Sequence, residues 1–314
     1  MLTRVARGHD GCICEGMQVR AVNSGDYRFR VTTWGRGGPH VIVLPGLSAD
    51  ARSLAPQIRE LRQHFRSVHV VDLPGSFYRP ALLVKDAKFS QLADAVTKVA
   101  DAIGVERAVF MGHSLGGGVA LHLALDHPER VDGLILLAPA ALGRSLHWIY
   151  KLYCIPLIGR ALLRPQPRMS KPFLRRFLVG SLRVVDEHFL TMLARHGSTS
   201  RDRALSARAI VWANQPSWWR RALLMIRPGG EQIAFSVLDR VAALEDIPML
   251  VLWGNEDRVI CWRDGLVIRD DHPRAELHIA RGVGHMLPLE APTWTNERIR
   301  AFCERLRPAL ARAA

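Results

Sequence analysis

Four short apolar runs stand out in the first half of the chain: Val41-Ile42-Val43-Leu44, Ser67-Val68-His69-Val70-Val71, Ala108-Val109-Phe110-Met111 and Leu134-Ile135-Leu136-Leu137. None alternates cleanly between apolar and polar residues, which is the pattern of strands buried on both faces and predicts a parallel sheet. Between them the period changes. From Phe89 to Ile103 the residues Leu92, Val96, Val99 and Ile103 recur at three- and four-residue spacing, and Gly104 supplies a stop, so the pattern predicts an amphipathic helix. Strand alternating with helix predicts an α/β core. Ahead of it we expect a hairpin (Gln18 to Val22, Arg28 to Thr33) preceded by a loose leader over residues 1–20.

After Pro139 the pattern changes to about ninety residues rich in Arg, Leu, Trp and Pro, helical in character and broken by Pro156, Pro165, Pro167 and Pro172. The alternation resumes at Met249-Leu250-Val251-Leu252-Trp253 and Ala275-Glu276-Leu277-His278-Ile279, and closes with an amphipathic helix from about Thr293 to Leu306. The expected organisation is one core, residues 21–139 and 231–314, interrupted by a helical cap over residues 140–230.

The 314 residues, 48% hydrophobic and 23% charged, suffice for a sizeable core. No apolar run reaches 18 residues and no apolar stretch follows the first basic residues, so a cytoplasmic protein is expected. Five scattered cysteines argue against a disulfide framework, and Cys12 and Cys14 have no second ligand pair for a metal. We therefore expect no metal and no cofactor. Charge changes the picture more. Residues 140–230 hold 16 Lys or Arg against Asp186, Glu187 and Asp202, which is +13 of the net +14. That imbalance predicts a unit of its own whose surface suits something anionic, an anionic membrane or a phosphate-bearing thioester, with a basic, arginine-rich genome as the alternative origin of the charge. Nucleic acid is disfavoured, because no recognised binding module accompanies the charge.

The candidate chemistry begins at Gly112-His113-Ser114-Leu115-Gly116, which follows a predicted strand and runs into a predicted helix, Gly117 to Leu125. A serine on so tight a turn is strained and its hydroxyl is pushed outward, while side chains in place of the glycines would collide with neighbouring backbone. The helix start brings free N–H groups close to a developing oxyanion.

With this motif in this context, the chain resembles the α/β-hydrolase family over roughly residues 25–307 apart from the cap, in the esterase and lipase-like branch that includes monoacylglycerol lipases and meta-cleavage-product hydrolases. The resemblance implies a mostly parallel sheet flanked by helices, and a nucleophile followed by an acid and then a histidine. Trp253-Gly254-Asn255-Glu256-Asp257-Arg258-Val259 resembles the acid loop, with Asp257 in the acid position, and Gly282-Val283-Gly284-His285-Met286 resembles the histidine loop, which nominates His285. Ser114 would attack, His285 would take its proton, and Asp257 would fix the tautomer of the imidazole.

The same resemblance places two oxyanion donors on the backbone N–H groups of Leu115 and Leu47. Many relatives read His-Gly in the second loop, whereas this chain reads Pro45-Gly46. Gly46, Ser48, His113, Trp148 and Met286 are candidate substrate contacts; for His113 a packed or hydrogen-bonded elbow residue is the alternative, and for Ser48 a turn former. Structural or solvated readings are given to Asp72, Asp126, His127, Glu129, Glu256, His122, His272 and His278. Asp132 is set aside in favour of Asp257, as too near an edge strand.

Serine at the elbow implies attack on a carbonyl: an ester, a thioester, a lactone or the carbon-carbon bond of a vinylogous diketone. The last branch commonly carries an aromatic residue after its histidine, where this chain has Met286. Residues Leu146 to Ile158 are densely apolar and flanked by Arg144 and Arg160, and Trp212, Trp218 and Trp219 follow. Such a segment either lies in a membrane interface or lines an acyl pocket, and both favour an apolar acyl group. The expected function is hydrolysis of carboxylic esters through an acyl-enzyme, with acyl thioesterase, carbon-carbon hydrolase and non-catalytic small-molecule receptor as alternatives.

Overall fold

The computed structural model describes residues 16–46, 49–74, 88–143, 237–257 and 259–313. The apolar runs become neighbouring strands of one sheet. In chain order these are β1 (Gln18–Ser24), β2 (Tyr27–Gly35), β3 (His40–Leu44), β4 (Ser67–Asp72), β5 (Ala108–His113), β6 (Val131–Leu137), β7 (Met249–Gly254) and β8 (Ala275–Ala280), laid side by side as β1-β2-β4-β3-β5-β6-β7-β8. The pairs β1/β2 and β2/β4 are antiparallel and the others parallel. β1 begins at Gln18, inside the stretch expected as leader.

Helices cover both faces of this sheet, which explains why its inner strands carry no polar alternation. Val41 and Val43 of β3, Val109 and Met111 of β5, and Ile135 and Leu137 of β6 face α1 (Ala55–Leu61) and α6 (Pro292–Ala313); Ile42, Phe110, Leu134 and Leu136 face the other way, towards α2 (Phe89–Ala102) and α3 (Leu115–Asp126). Full burial of each such aliphatic side chain contributes about 1.5–3 kcal/mol. Two further helices, α4 (Asp264–Asp271) and α5 (Leu287–Glu290), complete the described α-helices.

α2 buries Leu92, Val96 and Val99 and ends where Gly104 takes φ +75°, as its periodicity predicts. α3 is different: every residue from Leu115 to Ala124 is buried, so it is a core helix without a polar face. α6 runs beyond the expected Leu306 because its buried stripe, Ile299, Phe302, Cys303 and Leu306, continues to Leu310. Asp132 needs a correction, since β6 lies inside the sheet rather than near an edge. It stands at the start of β6, where Arg107 Nε donates to its Oδ1 at 2.8 Å.

The connections determine where a site can form. From β3 the chain moves to β4 on one side, then crosses to β5 on the other, so the loops leaving β3 and β5 diverge from paired strand ends at Leu44 and Gly112. Such a reversal opens a crevice at the carboxyl ends of the strands.

The expected cap falls mostly on residues 144–236, outside the described residues. Ala140, Ala141 and Leu142 are buried in the core. The main chain of Val237 donates to the carbonyl of Ala141 at 3.1 Å, so the stretch that leaves the core and the stretch that returns to it meet at one point. No helix among the described residues is long and apolar enough to cross a membrane.

Candidate active site

Ser114 sits between β5 and α3 with φ 52° and ψ −116°, a left-handed conformation that a non-glycine residue holds only when its surroundings enforce it. They do so here. Its N–H donates to Leu137 O at 2.9 Å, and its carbonyl accepts from Gly118 N at 3.1 Å and Ala140 N at 2.8 Å. The turn is so tight that a Cβ on Gly112 would overlap the backbone of Gly116 and Gly117, and one on Gly116 would overlap the carbonyl of Leu44.

The loop after β7 carries Asp257, whose side chain is fully buried. Oδ1 accepts from the main-chain N–H groups of Val259 at 2.8 Å and Ile260 at 3.0 Å, and Oδ2 accepts from the indole N–H of Trp253 at 2.9 Å. The loop after β8 carries His285, with Nδ1 2.8 Å from Asp257 Oδ2 and Nε2 2.9 Å from Ser114 Oγ. Three loops from distant parts of the chain thus converge on one line of hydrogen bonds.

Two interactions absent from the sequence reading hold the histidine loop. Glu290, buried on α5, accepts from Gly284 N at 2.8 Å and Met286 N at 3.0 Å, gripping the residues on either side of His285. Asn255 Oδ1 accepts from Gly282 N at 2.7 Å, which joins the acid loop to the histidine loop. The signal for both was faint: an amide beside the proposed acid, and a carboxylate five residues after the proposed base.

The remaining candidates divide. Leu115 is the first residue of α3, with its N–H at the helix start next to Ser114. Gly46 packs so closely that a Cβ on it would lie 2.9 Å from His113 Nδ1 and 3.4 Å from Ser114 Cβ. Met286, next to His285, is partly exposed. His113 is buried, with Nε2 3.0 Å from the carbonyl oxygen of His285, which is the packed, hydrogen-bonded alternative. Burial, and then the neighbouring His285, push its pKa down to about 3. Leu47, Ser48 and Trp148 lie outside the described residues.

Residues given structural readings make local contacts. His122 Nδ1 donates to Gly118 O at 2.9 Å and its ring stacks on Phe89, while His272 Nε2 donates to Leu244 O at 2.6 Å. His127 pairs with Asp94 at 2.8 Å, and Asp126 with Arg240 at 3.2 Å. Asp72, at the end of β4, is buried, and burial followed by the charge of Asp50 raises its pKa to about 7 against smaller opposing effects of Arg30, the main chain of Ala51 and Arg52. Among the described residues no three His, Cys, Asp or Glu side chains gather as a metal site.

Chemically, the line from Asp257 through His285 to Ser114 places a hydroxyl against an imidazole and a buried carboxylate, an arrangement able to activate it, at a helix start and at the carboxyl ends of the strands. Comparison with known proteins agrees with the architecture. Residues 39–292 match the family model described as alpha/beta hydrolase fold. The chain is 28% identical over 219 residues to 2-hydroxy-6-oxo-6-phenylhexa-2,4-dienoate hydrolase of Burkholderia cepacia, covering 68% of each chain. Among solved structures it is similar to a bacterial membrane phospholipase A, with TM-score 0.67, 23% identity and coverage of 93% of this chain and 87% of the other. A thermophilic esterase from Thermogutta terrifontis superposes with TM-score 0.70 at 19% identity, covering 92% of this chain and 99% of the other. Sheet order and family match converge on one conclusion: the chain belongs to the α/β-hydrolase fold family and is a hydrolytic enzyme.

Proposed function

We propose that this enzyme is a serine hydrolase that cleaves carboxylic esters with an apolar acyl part through an acyl-enzyme intermediate. The observation that carries the proposal is the continuous contact of Ser114 Oγ with His285 Nε2 at 2.9 Å and of His285 Nδ1 with Asp257 Oδ2 at 2.8 Å.

Asp257 accepts a hydrogen bond from the Nδ1–H of His285, which keeps that proton on Nδ1 and leaves the Nε2 lone pair facing Ser114. As Oγ attacks the ester carbonyl, its proton passes to Nε2, and the imidazolium is stabilised by the buried carboxylate. Negative charge gathers on the former carbonyl oxygen, where the N–H groups of Leu115 and Leu47 are the proposed donors. Collapse of the tetrahedral species expels the alcohol, which takes the proton from Nε2 and leaves the acyl group on Oγ. Water, deprotonated by the same imidazole, then releases the acid. Gly46 and Met286 are proposed substrate contacts, together with Ser48 and Trp148. The apolar acyl preference is supported by the composition of residues 146–158.

A fluorophosphonate probe should label Ser114, and Ser114→Ala should abolish labelling and cut ester turnover by about four orders of magnitude. A folded wild-type protein that takes no label would overturn the proposal, and turnover that survives in Ser114→Ala would do the same. A p-nitrophenyl ester series then ranks chain length, and acyl-CoA turnover distinguishes thioester from ester specificity. Carbon-carbon hydrolysis is the second reading, favoured by the likeness to the Burkholderia cepacia protein; preference for 2-hydroxy-6-oxo-6-phenylhexa-2,4-dienoate over every ester would establish it.

The proposal extends to a cytoplasmic enzyme touching an anionic membrane through residues 140–230, which carry most of the net positive charge. Sedimentation with anionic vesicles should then fall steeply as salt rises, and absence of binding at low salt would remove this part.

A further inference from the structure

We propose that His113 is a positioning residue for the base: its imidazole holds the main-chain carbonyl of His285 and so sets the orientation of the ring that faces Ser114. This rests on the reading of Ser114 and His285 as nucleophile and base.

Residues 113 and 114 are consecutive, and both engage residue 285. Ser114 does so through Oγ and the ring Nε2, whereas His113 does so through its own Nε2 and the carbonyl oxygen at 3.0 Å. The base is thereby held from two sides by one dipeptide at the end of β5. A carbonyl only accepts, so Nε2 of His113 carries the proton and Nδ1 carries the lone pair. Nδ1 is buried, has no hydrogen-bond partner among the described residues, and faces Gly46, where a Cβ would stand 2.9 Å away. The ring is therefore wedged between the loop after β3 and the loop after β8, with the elbow as its root.

The wedge must stay neutral. Its centroid lies 5.2 Å from that of His285, at an interplanar angle of 41°, so a charged His113 would repel the imidazolium that forms during reaction. Burial keeps His113 unprotonated through the ordinary pH range. It supplies a fixed donor without competing for the transferred proton. Without that donor the carbonyl of His285 is left buried and unpaired, and the cheapest relief is rotation of its peptide, which tilts the ring away from Ser114.

The test compares wild type, His113→Gln and His113→Phe. A glutamine amide reaches about as far as imidazole Nε2 and restores the donor; phenylalanine keeps the ring and loses it. Fluorophosphonate labelling followed against pH should be about tenfold slower in His113→Phe with a displaced inflection, and within about threefold of wild type with the inflection restored in His113→Gln. His113→Asn, too short to reach the carbonyl, should behave as His113→Phe does and stands in for it if the latter does not fold. Wild-type labelling with an unmoved inflection in His113→Phe would overturn the inference, as would equal losses in Phe and Gln variants of equal melting temperature. If the wild type itself takes no label, the serine hydrolase reading fails separately. The ring NMR signals of His285 then decide: signals displaced in His113→Phe and restored in His113→Gln support positioning, and unmoved signals refute it.

Discussion

The indole of Trp253 and the ring of His285 meet on the same atom, Oδ2 of Asp257, at 2.9 Å and 2.8 Å. With Oδ1 occupied by two main-chain N–H groups, the carboxylate has no freedom to rotate. Trp253→Phe removes one donor from a buried charged acceptor and leaves a gap beside it, which should cost about 2–4 kcal/mol of stability. Urea unfolding checks the stability. Ester turnover should fall about tenfold as the carboxylate gains mobility, and unchanged turnover would mean that the two main-chain donors suffice.

Glu290 grips the histidine loop through both carboxylate oxygens. Glu290→Gln replaces one acceptor by an amide N–H that points at another N–H. We expect a loss of about 1–3 kcal/mol in denaturant unfolding and a slower reaction with fluorophosphonate. A variant with wild-type kinetics would show that β8 alone positions the loop.

Gly116 and Gly104 predict outcomes of very different size for the same substitution. A Cβ on Gly116 would overlap the carbonyl of Leu44, whereas one on Gly104 meets nothing within 4 Å and bears only the strain of φ +75°. Gly104→Ala should therefore cost about 1 kcal/mol in thermal melting, and Gly116→Ala should fail to yield a native elbow. Expression of soluble, probe-reactive Gly116→Ala would contradict the packing described for the elbow.

Asp72 predicts a pH dependence of known sign. Its pKa is raised to about 7 from the ordinary 3.8, so the folded chain holds this proton more tightly than the unfolded chain. Below about pH 4 both states are protonated and the group contributes nothing. Stability falls as pH rises from there to about 7, where the penalty reaches its full value, about 4 kcal/mol at most. Asp72→Asn should match wild type in urea midpoint near pH 4 and exceed it at pH 8. A variant less stable than wild type at pH 8 would mean that the ionised carboxylate is usefully paired.

The legible part of this protein is the part written in local pattern. Strands such as β6 announce themselves because both faces are covered, and Gly112 to Gly116 is readable because the turn tolerates no side chain at either end. Ser114 is readable as a candidate from its motif between strand and helix, and Asp257 and His285 from the resemblance of their loops to those of the family; the structure places all three within hydrogen-bond distance. Trp253, Asn255 and Glu290 are not readable, because each acts only when the ends of β7 and β8 lie side by side. Strand order was equally silent: nothing in Leu134 to Leu137 distinguishes an interior strand from an outer one, hence the misplacement of Asp132. α5 is four residues long, too short for any helical period to show.

The hydrogen bond between Val237 N and Ala141 O makes the hydrolase core a closed frame in its own right. The polypeptide between those residues leaves the core and rejoins it at adjacent positions, as a drawer meets a cabinet. Its length and composition can drift without stretching the sheet. That stretch could therefore be exchanged for another while Ser114, Asp257 and His285 stayed where they are.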